Sequence, residues 1–219
     1  MFLGHFGVAL AAKEVAPTAS LGTTILAAEF LDSVWPLFLL SGVETVEIVP
    51  GITKVTPLDF TSYPWSHSLA MAIAWGVAFA AVYWLVRRNR AAALWLGAIV
   101  VSHWFLDWVV HRPDLPLYPG EAQRHGLGLW NSVPISLALE LATLAAGLAL
   151  YLRATRAKDR VGSAALWALV ALLVILYMGA TFGPPPPSVP ALAASTLLGY
   201  LFVPWGWWID RHRVPRRLP

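Results

Sequence analysis

The 219-residue chain is 58% hydrophobic and only 12% charged, with 12 Trp and a formal net charge of +3, against roughly 45–50% apolar and about 25% charged in a soluble domain. That leaves too little polar surface to cover a water-facing exterior, which excludes a soluble globular protein and points to a polytopic membrane protein. With no cysteine, disulfides, thiolate zinc sites, iron–sulfur clusters and cysteine nucleophiles are excluded, so any metal must sit on His and carboxylates.

The chain opens on an apolar run, residues 1–12, that spans only about 18 Å as a helix. It reads as a half-span, an interfacial helix, or a full crossing with Lys13 snorkelling to water. No Lys or Arg precedes it, which disfavours a cleaved signal peptide. Six longer runs follow at 20–40, 66–86, 91–110, 132–152, 161–181 and 190–209, each near the ~20 residues that a span requires. The expected fold is all-α, a single integral membrane domain of six long spans plus a short N-terminal helix, or seven spans if that helix crosses. No internal repeat is visible, nor the paired broken helices of inverted-repeat transporters.

Basic residues set the orientation. Lys13, Arg87, Arg88, Arg90, Arg153, Arg156, Lys158, Arg160, Arg211, Arg213, Arg216 and Arg217 fall on one side, and only Lys54, Arg112 and Arg124 on the other. Cytoplasmic loops carry such an excess, so the C-terminus is expected in the cytoplasm, as in a bacterial inner-membrane protein. The same bias accounts for the basic charge without a nucleic-acid partner. Loops 41–65, 112–131 and 182–189 then face outward, the last stiffened by Pro184 to Pro187.

Ionisable residues within spans are costly and mark function by default. His103, Asp107 and His111 follow at i, i+4 and i+8, so they share one helix face, while Trp104, Phe105, Trp108 and Val109 are expected to meet lipid. Asp32 lies about 12 Å below the outer end of its span. His103 and Glu140 fall at that same depth in their own helices, and His67 lies near the level of Asp107 and His111. His5 joins the group if the first segment is helical with its N-terminus outward. Glu29 and Glu140 read equally as helix–helix hydrogen bonds, and His125 and His212 as surface residues. Asp59, Asp114 and Glu121 are loop carboxylates without distinguishing context.

Gly4-His5, Leu31-Asp32, Ser66-His67-Ser68 and His103-x-x-x-Asp107, in this order over residues 1–120, resemble the YdjM-type family of membrane-bound metal-dependent hydrolases. That family is similar to the zinc-dependent phospholipases C and single-strand nucleases, all-helical enzymes that gather His and Asp around a zinc cluster. The resemblance treats residues 121–219 as additional transmembrane helices. Where the family carries Pro-Asp-x-Asp, this chain has Leu31-Asp32-Ser33-Val34. Where it carries His-Arg-x-x-Thr-His-Ser, this chain has Ser62-Tyr63-Pro64-Trp65-Ser66-His67-Ser68. One carboxylate and one His are thus missing, which favours one metal ion over two.

Imidazoles and carboxylates without thiolates suit zinc, with manganese or iron as second choices. The expected ligands are His67, His103 and Asp107. His5 and Asp32 complete the set or hold a second ion, and His111 or Glu140 replaces what is lost. Glu140 or Asp32 is the candidate catalytic base. Arg112 and Arg124 are candidate substrate-binding residues for an anionic head group. The expected partners are the membrane lipid and a lipid-like phosphate ester cleaved at the outer leaflet. An ion or proton carrier running through Glu29, Asp32, His103, Asp107 and Glu140 is the alternative, as is a structural membrane protein in which these residues only lock helices together.

Overall fold

The computed structural model describes residues 1–216; Arg217, counted above among the basic residues, lies outside them. Helix α1 (Leu3–Ala11) runs into a 3-10 turn over Ala12–Glu14, and α2 (Leu21–Ala28) and α3 (Phe30–Leu40) follow. A hairpin of β1 (Thr45–Ile48) and β2 (Leu58–Ser62) precedes α4 (Pro64–His67), α5 (Leu69–Arg87) and α6 (Arg90–Val110). The chain ends in α7 (Val133–Ala154), β3 (Thr155–Ala157), α8 (Arg160–Phe182), α9 (Val189–Leu197), α10 (Phe202–Arg211) and β4 (Arg213–Pro215).

Among the described residues 5 helices are long and apolar enough to cross a membrane, Val189–Arg211 counting as one, and the α2–α3 pair raises the number to 6. This is the expected all-α bundle, with short sheets only at its two ends: β1 antiparallel to β2 through Thr45↔Ser62 and Ile48↔Leu58, and β3 antiparallel to β4. Short polar side chains start the helices, as when Ser20 accepts from the Thr23 amide, Asn89 from Ala92 and Asp159 from Gly162.

Two expected spans are interrupted. The first bends by 55° between α2 and α3, at Glu29, whose φ of −94° and ψ of 11° leave the helical region. The second starts later than expected, because Ser68 is extended and caps α5 by accepting from the Met71 amide, leaving Pro64–His67 as a separate turn. Irregular backbone at membrane depth is tolerated where protein covers it, and both breaks lie beside the buried His and Asp residues.

Helix α1 settles as a half-span, about 13 Å long, with Leu3, His5, Phe6, Gly7 and Leu10 all buried inside the bundle. It lies directly against α7. A Cβ on Gly7 would stand 2.5 Å from the Thr143 carbonyl oxygen, and one on Gly147 would stand 2.0 Å from that of Gly7. Lys13 does not snorkel to water. It is buried and donates to the carbonyls of Pro17 and Ala19, with Asp210 at 3.4 Å, so one of the residues read as an orientation signal is an internal tie between α1 and α10.

The close crossing gives a direct test. Gly147→Ala should force α1 from α7 and lower the melting temperature in detergent, a cost of about 1–3 kcal/mol. Gly179→Ala, where no described residue outside its own stretch of helix lies within 4 Å of the added carbon, should leave it unchanged.

Candidate metal centre

Helix α6 is the most enclosed of the long spans, half of its apolar window being buried. It turns His103 and Asp107 inward as their spacing predicts, and His111, the residue that ends it, is buried as well. Phe105 faces outward, but Trp104 is buried and not lipid-facing as expected. Around this stripe the other elements supply His5 from α1, Asp32 from α3 and His67 from α4.

Asp107 stands at the middle. Its carboxylate lies 3.1 Å from His5 Nε2, 3.1 Å from His103 Nε2, 3.7 Å from His67 Nε2 and 3.9 Å from His111 Nε2. It also accepts from the Met1 amine. Asp32 lies 3.3 Å from His67 Nε2 and 3.8 Å from His103 Nε2. Two triads result, His5–His103–Asp107 and Asp32–His67–His103, each with its ligand atoms within 4.8 Å of one another and with His103 in common. The rings of His5 and His103 stack at 3.6 Å, nearly parallel at 6°.

The outer nitrogens of His67, His103 and His111 are tied, and this fixes what the inner ones can do. His103 Nδ1 lies 2.7 Å from the Ala28 carbonyl, which can only accept, so Nδ1 carries the proton and Nε2 presents a lone pair. That carbonyl is free because the break at Glu29 ends α2 one residue later. Ser66 Oγ donates to Glu44 at 2.7 Å and lies 2.7 Å from His67 Nδ1; with its own hydrogen spent, it accepts from Nδ1. Glu44 is held in turn by the amides of Trp65 and Ser66. His111 Nδ1 lies 3.0 Å from Asp114, which also accepts from the Tyr63 phenol at 2.8 Å. Burial, and then the Asp114 charge beside it, hold that phenol well above its ordinary pKa, so it stays a donor.

Three Nε2 lone pairs thus face two carboxylates, which are acceptors as well. Acceptors turned toward acceptors in a dry site repel unless a cation lies between them. Consistently, His103 Nε2 is buried without a hydrogen-bond partner among the described residues. Imidazoles with Nδ1–H anchored on a carbonyl, hydroxyl or carboxylate are the arrangement that orients metal-binding histidines, so the residues fit a metal ion.

The remaining expected residues are placed elsewhere. Both oxygens of Glu140 are occupied, accepting from the Phe2 and Gly4 amides at 2.9 and 2.8 Å. It therefore closes the N-terminus of α1. Arg112 pairs with Asp59 and lies 3.4 Å from Asp114, while Arg124 is exposed and turns back on the carbonyls of Glu121 and Gln123. Neither is aimed at the cluster. Glu44, Tyr63 and Asp114 were not singled out in the sequence. Asp114 carried a signal, three residues beyond His111, whereas nothing in the local sequence links Glu44 to His67.

If Glu44 and Ser66 hold His67 in its metal-binding tautomer, Glu44→Gln and Ser66→Ala should each weaken zinc binding by about 10–100-fold. Glu47→Gln, on the exposed face of β1, should leave it unchanged in the same competition titration.

A family model described as YdjM inner membrane protein matches residues 2–182, from α1 to the end of α8, a longer stretch than the 1–120 over which the motifs run. No curated protein and no solved structure matches the chain. The family match covers every residue of the His–Asp cluster together with the helices that carry it, and the chain belongs to the YdjM inner membrane protein family.

Proposed function

We propose that this membrane protein is a metal-dependent hydrolase that cleaves a phosphoester of a lipid or similar amphiphile at the outer leaflet. The observation that carries the reading is the convergence of anchored imidazoles on Asp32 and Asp107. His67, His103 and Asp107 hold one ion, His5 and Asp32 complete its surroundings, and His111 stands at the outer edge. Zinc bound there, or manganese or iron, supplies the Lewis acidity that polarises a phosphoryl oxygen.

Asp32 is the cluster's open carboxylate, its side chain 33% exposed where Asp107 is at 2%. Lying beside His67 and His103, it is placed to take a proton from attacking water. Glu140, which also holds the amides of Phe2 and Gly4, is the alternative base. The surrounding spans restrict access from water, which favours a substrate that partitions into the bilayer. On the basic side of the cluster α1 buries Phe6, Ala9 and Leu10, an apolar stretch that a proton relay does not cross, and this disfavours the carrier.

Elemental analysis of protein purified in mild detergent tests the reading. About one zinc ion per chain is expected in the wild type, lost in His103→Ala and Asp107→Ala and kept in His125→Ala. Phosphate release from a lipid phosphate should fall in the first two by more than the ~100-fold that an outer-layer partner costs. A folded wild type that takes up no metal would overturn the proposal, as would equal effects from all three variants.

A further inference from the structure

A large cavity lies away from the His–Asp cluster, toward the arginine-rich end of the bundle. It is a groove of about 1150 Å³ between α2, α5 and α10, open along one side. Its apolar wall follows α5 from Trp75 to Val86 and is faced by Leu26 and Phe30. The Phe30 ring closes the deep end, 5.7 Å from Trp75 and 5.5 Å from Phe79. At the other end stand Lys13, Arg87 and Arg213 with a single carboxylate, Asp210.

Two quantities say what fits. The α5 wall is about 16 Å long, close to the ~15 Å of hydrocarbon in one leaflet. The polar end has an excess of positive charge. Asp210 is taken by Lys13 at 3.4 Å and by the Leu21 amide at 2.6 Å. Arg213 donates to Thr155 and to the Gly162 carbonyl, and among the described residues neither it nor the exposed Arg87 meets a carboxylate. A groove one leaflet long, apolar at its deep end and cationic at the interface, complements an anionic amphiphile in both length and charge.

We propose that this groove binds one anionic phospholipid from the leaflet on the basic face. Its phosphate lies at the exposed Arg87, with the buried Lys13 and Arg213 adding positive charge behind it, and an acyl chain lies along Trp75 to Val86. The site is separate from the metal centre and does not depend on the hydrolase reading.

Native mass spectrometry of protein released from nanodiscs containing equal phosphatidylglycerol and phosphatidylcholine, matched in chain length, provides the test. Wild type should retain one phosphatidylglycerol in preference to phosphatidylcholine. Arg87→Gln should reduce that preference about fivefold, whereas Arg90→Gln, outside the groove, should keep it. Ala78→Trp, which places a ring in the groove from an exposed position, should lower retention of both lipids while melting like the wild type. His103→Ala should retain the lipid, which separates this proposal from that for the metal centre. Equal retention of the two lipids by wild type, undiminished retention in Ala78→Trp, or a lipid-free dimer joined through this face would each overturn it.

Discussion

A carboxylate inside a hydrocarbon slab has to be balanced where it stands, because leaving it unpaired there costs several kcal/mol. Asp107 is such a group: the Met1 amine and His5 Nε2 meet it directly, and α4 and α6 bring His67 and His103 beside it. The short first helix is placed by the same demand for compensation. Glu140, a second buried carboxylate, accepts from the amides at its N-terminus, which lack partners within the helix itself.

The departures from regular helix serve this centre. The break at Glu29 leaves the Ala28 carbonyl for His103, the separate turn at Pro64–His67 brings Ser66 between Glu44 and His67, and the loop after α6 returns Asp114 to His111. Each puts an acceptor on the far side of an imidazole and so aims a lone pair inward. A continuous helix would have consumed the Ala28 carbonyl in its own hydrogen-bond ladder. Irregular backbone and site chemistry are thus one feature seen twice.

Polar function is confined to the two ends, and the apolar side of α1 separates them. The His–Asp cluster lies on one side of that partition. On the basic side, Lys13, Asp210, Tyr151 and Arg213 form a second buried network that joins α1, α7 and α10, with Arg213 lying 5.2 Å over the Tyr151 ring. Basic residues here are therefore not all loop charges: Lys13 and Arg213 are internal ties.

Membrane crossing was legible in the sequence because the bilayer imposes a length and an apolarity that any span must meet one helix at a time. The stripe of His103, Asp107 and His111 was legible for a similar reason, since helical period assigns a face without reference to neighbours. The gathering of His5, Asp32 and His67 around that stripe was anticipated from their depths. The partners of those residues were not. Glu44 reaches Ser66 across a hairpin, Glu140 meets α1 across a glycine crossing, and Arg112 is claimed by Asp59 from a strand. Periodicity and composition thus settled which residues enter the membrane and which face each helix turns inward. Only the crossings and breaks of the folded chain decided what each buried charge would touch, because that depends on distances between segments far apart in sequence.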